Sequence, residues 1–220
     1  MRSLPLPLAL TARLLPVAVL ASAGWALTSG PLTAAPTAAE PKTPQKTKTA
    51  TAPSTSAATK TYASSPAPCT AVATKSITSL VPGAKTAGQE IASTDKTVRR
   101  TCSWNALKGY DYRWLDVSYE IKESDKEAQS SFKGRTTDKG DGASVSGLGD
   151  EAYSASKLTT EDKQETRETV LTVRASNGIV VITYNGSDFE TKKAPKADVI
   201  FDGALKAATE AVATLERSAQ

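Results

Sequence analysis

The sequence predicts an α+β domain, an antiparallel sheet of five or six strands packed with N-terminal, middle and long C-terminal helices. Three observations carry this prediction. Two pairs of segments, 97–107 with 110–122 and 169–176 with 179–185, alternate apolar and polar residues and read as hairpins. An apolar stripe at helical spacing (Ile200, Ala204, Leu205, Ala208, Ala211, Val212, Leu215) runs towards the C-terminus. The only two cysteines, Cys69 and Cys102, flank a predicted helix and the approach to the first hairpin.

Composition divides the chain. Residues 1–66 hold six Lys/Arg and one acid, Glu40, whereas residues 67–220 hold 21 Lys/Arg and 22 Asp/Glu. The net charge of +4 therefore belongs to the N-terminal part, and nothing in it argues for a nucleic-acid-binding fold. Arg2 and Arg13 precede an uncharged run whose most apolar part is Leu14–Leu27. Residues 1–30 read either as a signal peptide cleaved after Ala21-Ser22-Ala23 or as an uncleaved membrane anchor. Positive charge on the N-terminal side alone places the remainder outside in both cases, secreted or held at the cell membrane. Residues 31–66, rich in Pro, Thr, Ala and Lys, read as a disordered linker. Residues 67–218 form the expected extracytoplasmic domain, read as a monomer.

An exported chain meets an oxidant, so Cys69 and Cys102 are expected to form a disulfide. In the chain-entropy description, closing that loop stabilises the fold by about 4 kcal/mol. Thr70 reads as the N-cap of a short helix that buries Val72, Ile77, Leu80 and Val81 and stops at Pro82-Gly83. A short strand is expected near 89–92. In the first hairpin Val98, Cys102 and Trp104 face inward, with Leu115, Val117, Tyr119 and Ile121 on the second strand. A turn at Lys108-Gly109 would set Cys102 opposite Leu115 and Ser103 opposite Trp114. Ser124-Asp125-Lys126-Glu127 is a capping box opening a helix that ends at Gly134. Residues 135–146 read as a loop and 160–168 as a charged stretch, with a strand between. Asn177-Gly178 reads as the second hairpin's turn, pairing Ala175 with Val180, Val173 with Ile182 and Leu171 with Tyr184. Pro195 suits the first position of the last helix.

Pro68-Cys69 before a helix, Cys102-Ser103-Trp104 on a strand, and Gly147-Leu148-Gly149-Asp150-Glu151-Ala152 before another resemble a family of actinobacterial secreted proteins and lipoproteins, a domain of unknown function. The same pattern is similar to the extracytoplasmic sensor domains of mycobacterial-type serine/threonine kinases. The likeness covers about residues 66–217 and implies a fold and a cell-envelope address, but no reaction. Unlike the lipoprotein members, this chain has no cysteine near its N-terminal segment to acylate, and it carries no kinase domain.

Without histidine, neither a Ser-His-Asp nor a Cys-His arrangement is possible, and two cysteines cannot complete a tetrahedral metal set. No cofactor or metal is expected. Ser130-Ser131-Phe132-Lys133 and Ser154-Ala155-Ser156-Lys157 match Ser-x-x-Lys but lack that motif's companions. Asp138, Asp141 and Asp150 are not spaced as a calcium loop. Gly147-Leu148-Gly149 lacks the third glycine of a dinucleotide fingerprint. Glu120, Glu123, Asp125 and Glu127 read as a charged strand end and helix start. The expected function is a non-enzymatic binding, sensing or adaptor domain; the alternative is an envelope hydrolase using carboxylates or Ser/Lys. The candidate partner-binding surface is the alternating row Tyr110, Tyr112 and Trp114, with Arg99 and Ser103 nearby. Its expected partner is an envelope protein or glycan.

Overall fold

A computed structural model describes residues 60–137 and 142–219. The expectations for the N-terminal segment, for the linker as far as residue 59, and for Asp138 and Asp141 lie outside the described residues. Within them the chain runs through a 3-10 turn at Pro68–Thr70, α1 (Thr74–Leu80), β1 (Gln89–Ile91), β2 (Arg99–Lys108), β3 (Asp111–Ile121) and α2 (Asp125–Thr136). It continues through β4 (Gly142–Ser144), β5 (Glu151–Glu161), β6 (Gln164–Ala175), β7 (Gly178–Asp188) and α3 (Ala197–Arg217). Every neighbouring pair is antiparallel, in the order β1-β2-β3-β7-β6-β5-β4. The α+β class, the antiparallel sheet and the three helices stand as expected, but the described sheet has seven strands rather than five or six.

One uncounted strand, β4, and the outer part of the β5–β6 hairpin have physical reasons to be illegible. β4 is only three residues long, at the sheet edge. The stretch 160–168 completes a hairpin of β5 and β6 that turns at Asp162-Lys163, with φ of 49° and 68°. Positive φ at both central residues gives the turn the twist a tight hairpin needs. Its strand ends lie beyond the core and are polar on both faces, so no alternation marks them.

Both predicted hairpins form with the expected faces, each shifted by two residues. Lys108 pairs with Asp111, so the turn is Gly109-Tyr110 and Cys102 lies opposite Val117, Ser103 opposite Asp116. Gly109 has φ +65° and takes the first turn position, where a type II′ turn favours glycine. Ala175 pairs with Gly178, so Ser176, at φ 46°, and Asn177 make the second turn. Leu171 then faces Ile182, and Val173 faces Val180. Asn177 is drawn into that turn by its side chain, which is fully buried. Its amide accepts from the Tyr62 N–H and donates to the carbonyls of Tyr62 and Lys122, each at 2.9 Å. Tyr62 is itself buried, so the packed chain reaches back beyond Pro66.

The core lies between one sheet face and α3. Leu115, Val117, Tyr119, Leu171, Val173, Ile182 and Tyr184 meet Ile200, Ala204, Ala208, Ala211 and Leu215, with Ile77 and Leu80 of α1 at the margin. The Tyr119 hydroxyl donates to the Ala211 carbonyl, and the Tyr184 hydroxyl to the Leu80 carbonyl. Cys69 and Cys102 are bridged with Cα atoms 5.1 Å apart, tying the 3-10 turn to β2. Thr70 does not cap α1: it lies in the 3-10 turn, and its hydroxyl donates to the Ala67 carbonyl. The carboxylate of Glu210 on α3 instead accepts from the Ala73 N–H and the Ser76 hydroxyl at the start of α1. Ser124 caps α2 as read, accepting from the Glu127 N–H, though the helix passes Gly134 and ends at Thr136. Pro195 precedes α3, which starts at Ala197. Val98 falls just ahead of β2 and is exposed rather than inward.

Candidate functional site

Strand alternation turns Tyr112, Trp114, Asp116, Ser118 and Glu120 of β3 away from α3, onto the outer face. The neighbouring strands supply matching rows. Asn105 and Asn185 flank Trp114; Ser103 and Thr183 flank Asp116; Thr101 and Val181 flank Ser118. Cross-strand bonding of Thr101 Oγ1 with Ser118 Oγ at 2.9 Å confirms that these rows share a face.

α2 covers one end of this face, where Ala128 and Phe132 pack on Ile179 beside Tyr153 and Val181. The same end holds Glu120, buried and bonded to Arg135 of α2 at 2.6 Å. Among the described residues no helix packs over the opposite end, where the aromatic row lies. Tyr110 is 58% exposed in the β2–β3 turn, and Leu107 beside it is 56% exposed. Tyr112 is half-buried because Phe189 packs on it, ring centroids 6.0 Å apart and planes tilted by 33°. Burial pushes the Tyr112 phenol above its ordinary value. Trp114 is half-buried and donates from Nε1 to Asp116 Oδ1 at 2.7 Å, which fixes the indole along the face.

Arg99 does not belong to this row. It pairs with Glu120, six residues along β3 from Trp114, or about 20 Å at the strand rise. Its Nε lies 3.7 Å from Glu120 Oε1. Phe189, Asn105 and Asn185 were not singled out from sequence. The asparagines were available from hairpin parity, whereas Phe189 follows β7 in a loop and carries no periodic signal.

Three open grooves mark the described surface. One of about 610 Å³ is lined by Ile91, Asp95, Val98, Arg99, Thr101 and Asp116, and so adjoins the Trp114 row. A second, of about 640 Å³, lies between Phe132 and the 144–153 loop, and a third, of about 500 Å³, at the β5–β6 tip. The carboxylates of the first two are engaged. Asp95 accepts from the Thr97 hydroxyl and N–H, which hold it below the usual range. Asp150 and Glu151 both bind Arg174. Ser154 and Lys157 are three apart on a strand and therefore on opposite faces, so that Ser-x-x-Lys does not converge. Among the described residues no group of three or more His, Cys, Asp or Glu is placed to hold a metal ion, and no helix is long and apolar enough to cross a membrane.

No family model and no curated protein matches this chain. One solved structure, from Bacteroides thetaiotaomicron VPI-5482, is similar at 7% identity and a TM-score of 0.28, over 54% of this chain and 47% of that one. The chain thus spans about half the length of that structure, and so slight a likeness carries no inference.

Proposed function

We propose that this chain is a non-enzymatic extracytoplasmic binding, sensing or adaptor module of the cell envelope, exported or anchored by its N-terminal segment. It recognises an envelope protein or glycan through the aromatic end of the outer sheet face. The observation that carries this reading is the cluster of Tyr110, Tyr112, Trp114, Phe189 and Leu107 on a face that α3 does not cover. Large aromatics give much contact area at low entropic cost, which is why they dominate recognition surfaces. The Cys69–Cys102 bridge supports the address, because oxidising compartments favour such bonds. The placement fits a tether as well. The chain enters at Tyr62 beside Asn177, at the Ile121 end of β3, whereas Tyr112 lies at the other end, about 30 Å away.

Capture from envelope fractions with the full chain, compared with Trp114→Ala, tests the reading. We expect the variant to lose the captured partner while its thermal midpoint stays nearly unchanged. Unchanged capture, or a large stability loss with capture intact, would make the row a packing feature.

A further inference from the structure

We propose that the outer face around Trp114 binds a neutral saccharide, one pyranose ring stacked on the indole with its hydroxyls taken by the flanking side chains. The inference rests on the recognition reading above and narrows its partner. Asn105 and Asn185 stand on the strands either side of Trp114, each about 4.8 Å away in the hydrogen-bonding direction. A pyranose on the ring would thus have an amide at each edge, each able to donate and accept. The next row, Ser103, Asp116 and Thr183, repeats the pattern with hydroxyls around a carboxylate. Asp116 already accepts from the indole N–H, which holds the ring against the sheet and leaves further lone pairs. The floor also contains a buried hydroxyl, Ser103 Oγ, with no hydrogen-bond partner among the described residues.

Chemistry decides the class. A protein covering this row with apolar side chains would strand two amides and a carboxylate, at about 1–3 kcal/mol for each group left unpaired. A sugar offers a hydroxyl at nearly every ring position and avoids that loss. Charge decides against an anionic polymer. The one formal charge in these six residues is the negative one of Asp116. Of the strand cations on the outer face, Arg99 and Arg174 lie in the Glu120 row, six residues along, and Lys157 lies three strands across. A phosphate or uronate over Trp114 would meet Asp116 with none of these cations beside it.

Titration calorimetry of the full chain with neutral tetrasaccharides of glucose, galactose, mannose and N-acetylglucosamine, and with tetragalacturonate, tests this. At least one neutral tetramer should saturate, and tetragalacturonate should bind about tenfold or more weakly than that tetramer. Asn185→Ala, and independently the exposed Asn105→Ala, should each weaken the neutral sugar about tenfold with the thermal midpoint unchanged. Saturation by none of the neutral tetramers, equal affinity for the uronate, or full affinity in both asparagine variants would overturn the proposal. If no sugar binds while Trp114→Ala still abolishes capture of an envelope protein, the recognition reading stands and the saccharide falls. Loss of both would remove the two together.

Discussion

Glu120 sits 5% exposed beneath α2, with Arg135 Nη2 at 2.6 Å and Lys122 Nζ at 3.2 Å from its Oε2. Burial pushes its carboxyl up, but Arg135 and Lys122 outweigh that, and the group is held below the usual carboxylate range. A depressed value in the folded state makes the ion pairs a source of stability above the unfolded carboxyl value, about 4.3. That stability is lost as pH falls through the lower, folded value. Glu120→Gln should therefore cost about 1–3 kcal/mol near neutral pH, and the deficit should shrink as acid protonates the wild-type carboxyl. Denaturant unfolding of both proteins across the acid range measures this; a deficit independent of pH would assign the loss to shape rather than charge. The sequence showed Glu120 only as one member of a charged strand end. Its three cations come from β2, from the residue after β3, and from the last turn of α2, a convergence that no local pattern records. Parity gave Arg99 the same face as the aromatic row, but the expected register already set it opposite Ser118, four residues from Trp114, and the two-residue shift takes it on to Glu120.

Among the elements, α3 shows how a helix interior accepts a residue that propensity disfavours. Gly203 is buried against β7, and a Cβ built there would overlap the Tyr184 ring. That ring cannot swing aside freely, because its hydroxyl donates to the Leu80 carbonyl at 2.7 Å. Gly203→Ala would gain about 1 kcal/mol in helix propensity but lose about 1–3 kcal/mol to overpacking. A net loss is expected, read as a lower denaturation midpoint with an unchanged slope. An increase would show that α3 can lift off β7 at little cost. Elements whose signals were local were legible: the Ser124 cap of α2, the two hairpin faces, the apolar stripe of α3. α1 was legible only in its buried side. Its start is set by Glu210, more than a hundred residues away, so Thr70 was given a role that another element fills. The β5–β6 hairpin tip was missed because its outer halves bury little and alternate nothing.

For the molecule as a whole, parity proved a sturdier guide than register. A shift of two residues leaves every side chain on its face, so the core was read correctly through Leu115, Val117, Leu171 and Ile182 although both turns were misplaced. The same parity put Tyr112 and Trp114 on the outer face; what it could not supply was the strand order that brings Asn185 beside Trp114. The bridge between Cys69 and Cys102 has a mechanical consequence. A pull on the chain ahead of Cys69 is handed across the sulfurs to β2, and the intervening segment, with α1 and β1 inside it, is left slack. Stretched from its two ends, the oxidised protein should fall short of the reduced one by about 110–120 Å, the contour of the 33-residue separation. Single-molecule extension in the two redox states reads that difference directly, and equal lengths would mean the load had never taken the shortcut.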